Sequence, residues 1–202
     1  MTNDPKDAIR RCADVLRAGG LVAYPTETFY ALGALASRSD ALARLASAKL
    51  RPEGKPLPLL AADEEQVRAV ATLDGLAARL AARFWPGPLT IVLPAAAGLD
   101  VAITAGSGTV AIRVPGNDVA RELARTAGGP LISTSANLSG EPPPAKPADL
   151  SPDLLARIDA VLEARACPGG LPSTIIAVSA GRVTLLRDGA VPFREVEVAA
   201  RT

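Results

Sequence analysis

The chain has 202 residues, with 22 lysines and arginines against 21 aspartates and glutamates, which gives a formal net charge of +1. Hydrophobic residues make up 49% of it, and neither an apolar run of about 18 residues nor a charged-then-apolar leader occurs, so we expect a cytoplasmic globular protein with no membrane span. The sequence contains no histidine, which excludes Ser-His-Asp and Cys-His nucleophile systems and His-ligated metals. Its two cysteines are too few for a four-cysteine zinc site.

The predicted elements begin with a helix that Asn3 or Asp4 can cap and that Pro5 opens. Gly19 and Gly20 end this helix, and the apolar residues 21–24 that follow predict a buried strand. Further along the chain, hydrophobic spacing and helix caps predict helices at residues 40–50, 63–71, 74–84 and 118–127, and strands at residues 56–61, 89–93, 109–114 and from 131 onward.

The last part of the chain is predicted to contain a loop, a hairpin and a tail. Prolines concentrated in residues 140–152 predict the loop, residues 173–178 and 182–187 predict the hairpin, and residues 191–202 predict a short strand with a tail. Strands interleaved with helices and followed by a hairpin predict an α/β fold with a mixed sheet. No internal repeat occurs, so we predict a single domain over residues 1–202, with its core at about 6–190 and a short C-terminal tail.

Several polar and cationic side chains lie where predicted strands end or loops begin. They are Pro25-Thr26-Glu27-Thr28 after the first strand, the loop residues Lys49, Arg51 and Lys55, the stretch from Ser133 through Ser135 to Asn137, and Arg187 at the end of the hairpin. A solvated loop would explain the three loop cations by themselves, and turns or helix caps would explain the hydroxyls. Taken together, these side chains suit a polyanionic substrate, because guanidinium and ammonium groups pair with phosphate oxygens.

Arg113 stands inside an apolar predicted strand. Strand alternation places its side chain on the same sheet face as Ala111. A guanidinium group buried on such a face needs an anionic partner, because an unpaired buried charge is costly. We therefore expect Arg113 to be paired with an anion.

Six short stretches of the sequence carry a resemblance to a known family. They are PTETFYALGA (25–34), KLRPEGKPL (49–57), FWPGPLT (84–90), AIRVP (111–115), STSANLSG (133–140) and PSTII (172–176). In this order they resemble the YrdC family, the L-threonylcarbamoyladenylate synthases, over residues 21 to 187. The sequence departs from the family's usual pattern at Phe29, Ala31 and Leu60, where Val, Gly and, in some members, His are found.

The resemblance implies a single YrdC-like domain, with a twisted mixed α/β sheet and flanking helices around a large electropositive cavity. Members of this family are nucleotidyltransferases that combine L-threonine, bicarbonate and ATP into L-threonylcarbamoyladenylate and release pyrophosphate. Their product feeds threonylcarbamoyl modification of the adenosine next to the anticodon of tRNA. The implied partners are therefore the downstream tRNA threonylcarbamoyl-transfer proteins.

The resemblance also implies a role for each site residue. The implied threonine-binding residues are Thr28, Arg113, Ser133 and Ser173. The implied ATP-binding residues are Arg51, Lys55, Thr109, Ser135, Pro143 and Arg187. The implied catalytic residues are Lys49, Arg51, Ser135 and Asn137.

The family's reaction does not require a histidine. The amine of threonine adds to carbon dioxide derived from bicarbonate, and the resulting carbamate is an anionic nucleophile that attacks the α-phosphorus of ATP. Arg and Lys side chains, together with Mg²⁺ carried by ATP, would align the two anions and stabilise the leaving pyrophosphate. We expect neither a protein-bound metal nor an organic cofactor.

Two other functions stay open at the level of sequence. The same cavity could hold the phosphates of double-stranded RNA or tRNA in a translation-associated binding module. The near-neutral charge and the small aromatic complement (three Phe, two Tyr and one Trp) count against that function. A paralogue with the same fold could instead serve a different carbamoyl transfer.

Overall fold

Helices and strands alternate along most of the chain, and they assemble into two mixed sheets with helices around them. The computed structural model describes residues 4–50, 54–164 and 166–201. The α-helices in these ranges are α1 (Pro5–Arg17), α2 (Ser39–Ala48), α3 (Glu64–Val70), α4 (Gly75–Phe84), α5 (Val101–Thr104), α6 (Asp118–Ala127), α7 (Pro152–Leu155) and α8 (Phe193–Arg201). The strands are β1 (Val22–Tyr24), β2 (Ala31–Gly33), β3 (Leu59–Leu60), β4 (Leu89–Pro94), β5 (Thr109–Arg113), β6 (Leu131–Ile132), β7 (Thr134–Ser135), β8 (Ala160–Val161), β9 (Thr174–Ser179) and β10 (Arg182–Arg187).

Helix α1 begins and ends at the residues that the sequence predicts. The Asp4 carboxylate accepts a hydrogen bond from the Lys6 backbone N–H at 3.0 Å, and Pro5 occupies the first turn. Its apolar face, which includes Ile9 and Leu16, packs in one cluster with Leu123 of α6. This burial, more than helix propensity, holds α1 in place.

The strands form one four-stranded and one six-stranded sheet. The first has the order β7-β2-β1-β8 and the second has the order β10-β9-β4-β5-β3-β6. Each sheet is mixed: β1–β8, β3–β5 and β4–β9 are parallel pairs, and the other pairs are antiparallel. The predicted mixed α/β class is confirmed, with two sheets where the sequence indicated one.

The chain crosses from one sheet to the other within residues 131–135. Strand β6 pairs with β3 in the six-stranded sheet, and β7 pairs with β2 in the four-stranded sheet. Ser133 lies between them, and its N–H donates to the Pro58 carbonyl at 2.8 Å. The two sheets are therefore joined through the polar stretch that the sequence analysis singled out.

The largest hydrophobic cluster is built on the six-stranded sheet and the helices beside it. Leu59, Leu80, Ile91 and Ile112 are at most 1% exposed in this cluster. The smaller cluster lies between α1, α6 and the four-stranded sheet, and it contains Leu60. Neither cluster includes the polar side chains at the strand ends, so these side chains can line a site.

The C-terminal segment differs from its prediction. Residues 191–202 were expected to form a short strand and tail, but residues 193–201 form helix α8. The Pro192 carbonyl accepts from the Glu195 N–H at 3.0 Å, and Val196 is fully buried, while Phe193 and Ala200 pack beside the same core. The spacing of these apolar residues is that of one helix face, which outweighs the strand preference of valine.

The loop at residues 140–152 is confirmed as mostly irregular, with one 3-10 turn at Pro147–Asp149 and the start of α7.

Both cysteines, Cys12 and Cys167, are free and buried, and burial raises the pKa of each thiol. Among the described residues, no helix has the length and apolar content needed to cross a lipid bilayer.

Candidate functional site

A cavity of about 560 Å³ is lined by residues of both sheets. Ala31 of β2 and Ser135 of β7 come from the four-stranded sheet, while Thr90 of β4 and Arg113 of β5 come from the six-stranded sheet. The cavity therefore lies where strand ends of the two sheets face one another. Its volume is in the range of small-molecule sites.

Many of the predicted site residues line this one cavity. They are Thr28, Arg113, Ser133, Ser135, Pro143, Ser173 and Arg187. They come from distant parts of the sequence, and the fold brings them together. Among the described residues, the lining contains two guanidinium groups and no carboxylate.

Ser173 is the meeting point of three lining side chains. Its Oγ accepts from Arg113 Nη1 at 3.3 Å and from Arg187 Nη2 at 2.9 Å. The same oxygen lies 2.9 Å from Thr90 Oγ1. A single buried hydroxyl thus fixes two guanidinium groups at the wall of the cavity.

Arg187 is also fixed by the backbone. Its Nε and Nη2 donate to the Ser173 carbonyl at 3.1 and 2.7 Å. Burial, followed by the neighbouring charge of Arg113, lowers the pKa of the Arg187 guanidinium. Two cations held close together favour the binding of an anion, because an anion relieves their mutual repulsion.

Arg113 has the anionic partner that its burial predicted. Its Nε lies 3.2 Å from Glu27 Oε1, and the two side chains are only 9% and 13% exposed. This contact is an ion pair and not an aligned hydrogen bond. Among the described residues, neither carboxylate oxygen of Glu27 has a hydrogen-bond partner, so its charge acts chiefly on Arg113.

Thr26 shapes the turn that presents Thr28 to the cavity. Its Oγ1 donates to the Phe29 carbonyl at 2.6 Å and accepts from the backbone N–H groups of Thr28 and Phe29 at 3.2 and 3.3 Å. The two threonine hydroxyls lie 3.2 Å apart. Side-chain bonds of this kind stabilise turns, which explains the ordered geometry at the end of β1.

Lys49 is buried at the end of α2, against the loop that contains Ser135 and Asn137. Its Nζ donates to the carbonyls of Ser135 and Asn137, the latter at 2.6 Å, while its own carbonyl accepts from the Ser139 N–H at 3.2 Å. Lys49 is 3% exposed. Its ammonium group therefore fastens the 133–140 loop, and it does not line the cavity.

Asn137 lies at the turn after β7 and also stays out of the cavity lining. Its Nδ2 donates to the carbonyls of Leu138 and Glu141 at 3.0 and 2.5 Å. Its Oδ1 is buried and has no hydrogen-bond partner among the described residues. The Asn137 amide N–H groups thus stabilise the loop, and its side-chain oxygen can accept a further hydrogen bond.

The remaining predicted residues lie away from the lining or outside the described ranges. Thr109 begins β5, and its hydroxyl lies 3.0 Å from Ser107 Oγ. Lys55 is exposed in the segment before β3, and Arg51 lies outside the described residues. The described residues contain no group of three or more acidic or cysteine side chains placed to hold a metal ion.

The sequence analysis gave no role to two residues that belong to this arrangement: Glu27, which it named only within a polar stretch, and Thr90. Both belong to stretches that the sequence analysis quoted, PTETFYALGA and FWPGPLT. Leu60, one of the departures from the family pattern, is buried in the smaller core cluster and does not line the cavity. Phe29 and Ala31 do line it.

The family model for Sua5, YciO and YrdC, described as telomere recombination, matches residues 14–189 of this chain. The chain belongs to the Sua5/YciO/YrdC family. The resemblance to YrdC proteins that the six stretches indicated is thereby confirmed.

Curated relatives of this family carry the name threonylcarbamoyl-AMP synthase. The chain is 39% identical to the one from Pyrococcus abyssi over 190 residues, which is 94% of this chain and 56% of that relative. It is 39% identical to the one from Bacillus subtilis, covering 97% of this chain and 57% of the relative. The chain thus spans little more than half of these two proteins, whereas it covers 90% of the Halorhodospira halophila relative at 40% identity.

Solved structures of the Sua5/YciO/YrdC family have the same fold. Pyrococcus abyssi Sua5 complexed with L-threonine matches with a TM-score of 0.91 and 37% identity, over 98% of this chain and 58% of that one. Escherichia coli YciO matches with a TM-score of 0.85 and 25% identity, over 96% of this chain and 94% of that one.

Proposed function

We propose that this chain is a nucleotidyltransferase that makes L-threonylcarbamoyladenylate from L-threonine, bicarbonate and ATP and releases pyrophosphate. The observation that carries the proposal is the convergence of Arg113 and Arg187 on Ser173 Oγ at the wall of a 560 Å³ cavity. The two guanidinium groups can only donate hydrogen bonds, so this wall of the cavity suits carboxylates and phosphates. Relatives named threonylcarbamoyl-AMP synthase support the same reaction.

The threonine subsite would lie at the Arg113 end of β5. Arg113 would bind the carboxylate, with Ser173 beside it, because a guanidinium group pairs well with a carboxylate. Thr28 and Ser133 would contact the rest of the amino acid, since both line the cavity. Thr28 follows β1 and Ser133 precedes β7, and both strands belong to the four-stranded sheet. The Pyrococcus abyssi relative complexed with L-threonine supports L-threonine as the ligand.

The ATP subsite would extend toward the other end of β5. Thr109 and Arg113 lie on the same face of this strand, four residues or about 13 Å apart. That length separates a nucleotide contact at Thr109 from a carboxylate contact at Arg113. The other proposed ATP contacts are Arg51, Lys55, Ser135, Pro143 and Arg187.

The chemistry would use the substrates' own charges. Threonine's amine and carbon dioxide give a carbamate, whose oxygen attacks the α-phosphorus while the bond to pyrophosphate breaks. Mg²⁺ would arrive as part of the ATP complex and neutralise phosphate charge. Arg187, together with Arg51 and Lys55, would stabilise the leaving pyrophosphate.

The catalytic roles proposed for Lys49 and Asn137 are indirect. Their bonds to loop carbonyls hold the 133–140 loop in one shape, and this would orient Ser135 toward the nucleotide. One domain would carry the reaction, because both sheets contribute to the cavity. The product would serve tRNA modification in the cytoplasm through downstream transfer proteins.

Pyrophosphate release tests the proposal. We expect release only when L-threonine, bicarbonate and ATP are all present. Arg113→Lys removes the planar guanidinium and should raise the KM for L-threonine about 10- to 100-fold. Pyrophosphate release that does not depend on threonine, in folded protein, would contradict the proposal.

Arg125→Lys is the matched control for this substitution. Arg125 pairs with Glu122 at 2.9 Å on the exposed side of α6, where both side chains are 51% exposed. Its replacement should leave the KM for L-threonine unchanged.

The RNA-binding alternative predicts a different result. It would be favoured if the wild type released no pyrophosphate but bound double-stranded RNA, with an affinity that salt weakens steeply and threonine does not change.

A further inference from the structure

Thr90 is a buried hydroxyl of the cavity wall that no role above explains. It is 2% exposed in β4 and lines the cavity. Strands β4 and β5 are antiparallel with Val92 opposite Ala111, so Thr90, two residues before Val92, and Arg113, two residues after Ala111, share the same face. Thr90 therefore lies beside the proposed carboxylate-binding guanidinium.

The protons at Ser173 decide the direction of the Thr90 hydrogen bond. Ser173 Oγ accepts from Arg113 Nη1 at 3.3 Å and from Arg187 Nη2 at 2.9 Å. A guanidinium N–H can only donate, and a hydroxyl oxygen has two lone pairs and one proton. Both lone pairs of Ser173 Oγ are therefore occupied, and its proton donates to Thr90 Oγ1 at 2.9 Å.

Thr90 keeps its own proton for another acceptor. Its oxygen accepts from Ser173, and the part of the chain that the structure describes offers its Oγ1 no other hydrogen-bond partner. A buried hydroxyl proton without an acceptor costs free energy, and the open side of this residue is the cavity.

We propose that Thr90 is a substrate-binding residue whose hydroxyl donates a hydrogen bond to an anionic oxygen in the cavity. That oxygen belongs to the amino-acid carboxylate or to a phosphate of the nucleotide. The inference rests on the proposed function, because that function supplies both anions. Thr90, Arg113 and Arg187 then form a cluster in which the two guanidinium groups can only donate and the Thr90 hydroxyl offers its proton, which favours an anion as the ligand.

The test is calorimetric titration of L-threonine and of ATP, separately, into the wild type, Thr90→Val and Thr90→Ser. Thr90→Val keeps the shape of the side chain and removes the hydroxyl, while Thr90→Ser keeps the hydroxyl. We expect Thr90→Val to bind one of the two ligands about 10- to 100-fold more weakly, because a hydrogen bond to a charged group is lost. Thr90→Ser should bind both ligands nearly as the wild type does.

The ligand that weakens identifies the acceptor: L-threonine identifies the carboxylate, and ATP identifies a phosphate. Thr104→Val is the matched control, since Thr104 is 6% exposed and, within the described part of the chain, its hydroxyl bonds only the backbone of Val101 and Gly106 at 3.4 and 3.3 Å. It should lower stability and leave both affinities unchanged. If Thr90→Val does not fold, Thr90→Ala removes the same hydroxyl without placing a methyl group against Ser173.

Folded Thr90→Val or Thr90→Ala protein that binds both ligands like the wild type overturns this inference and leaves the proposed function standing. Equal losses in Thr90→Val and Thr90→Ser also overturn it, because Thr90→Ser keeps the hydroxyl and the loss would then not follow the hydroxyl. A folded wild type that binds neither ligand overturns both the inference and the proposed function.

Discussion

At the scale of single residues, Arg113 is held from two sides. Glu27 Oε1 lies 3.2 Å from its Nε, and Ser173 Oγ accepts from its Nη1 at 3.3 Å. The carboxylate balances the buried charge, and the serine fixes the end of the guanidinium that borders the cavity. The guanidinium of Arg113 is therefore held in one orientation before a substrate anion arrives.

Glu27→Gln should lower the free energy of unfolding by about 1–3 kcal/mol. The substitution keeps an amide oxygen near Arg113 and removes the balancing charge from a pair that is only 9% and 13% exposed. Urea unfolding followed by circular dichroism measures the change.

Glu122→Gln provides the comparison at an exposed ion pair. Glu122 and its partner Arg125 are each 51% exposed, so solvent screens the pair and the loss should stay within about 0.5 kcal/mol. Equal stability of Glu27→Gln and the wild type would show that the buried pair contributes nothing.

The sequence predicted the need for an anion at Arg113, because a charged residue interrupts an apolar strand. It could not identify Glu27 as that anion, since the two residues lie far apart in the chain and meet only in the fold. The hydrogen bonds at Ser173 could not be predicted from the sequence for the same reason. Its partners lie on β4, β5 and β10, and their distances from Ser173 are set only by the fold.

At the scale of elements, Gly33 permits the close approach of β1, β2 and β6. A Cβ atom at Gly33 would lie 2.5 Å from Tyr24 Cε1 and 2.9 Å from the Ile132 carbonyl oxygen. The same carbonyl accepts from the Tyr24 hydroxyl at 3.0 Å, and burial raises the pKa of this tyrosine to about 12. The Tyr24 ring and the Ile132 carbonyl therefore leave no room for a side chain at Gly33.

Gly33→Ala should destabilise the protein by about 1–3 kcal/mol or more, because the backbone carbonyl cannot move aside cheaply. Differential scanning calorimetry and urea unfolding measure the loss. Gly129→Ala is the matched control, since a Cβ there would meet only Leu35 Cδ1 at 3.6 Å, an ordinary contact. Similar stabilities of the two variants would contradict the tight packing described for Gly33.

Long elements were more predictable than short ones. Helix α6 and strand β10 begin and end where hydrophobic spacing and turn residues place them. The two- and three-residue strands β2, β7 and β8 carry too few side chains for a period, and they are strands only because neighbouring backbones pair with them. Helix α8 was missed because its valines favour a strand, whereas burial of Val196 favours the helix face.

At the scale of the whole molecule, the crossing at residues 131–135 builds the site. It joins the two sheets and brings Ser133 and Ser135 opposite Arg113 and Ser173 around one cavity. The short stretches that resemble the YrdC family thus become neighbours in space. Seven of the residues that the family resemblance named line this cavity, whereas Lys49, Thr109 and Asn137 do not, and the topology explains how the seven come together.

We propose that this cavity joins L-threonine, bicarbonate and ATP. Mass spectrometry of the product formed from ¹³C-labelled bicarbonate, ATP and L-threonine tests this most directly. We expect an adenylate that contains threonine and the labelled carbon, formed together with pyrophosphate. Folded protein that binds L-threonine and ATP yet forms no adenylate, or forms one without the labelled carbon, would contradict it.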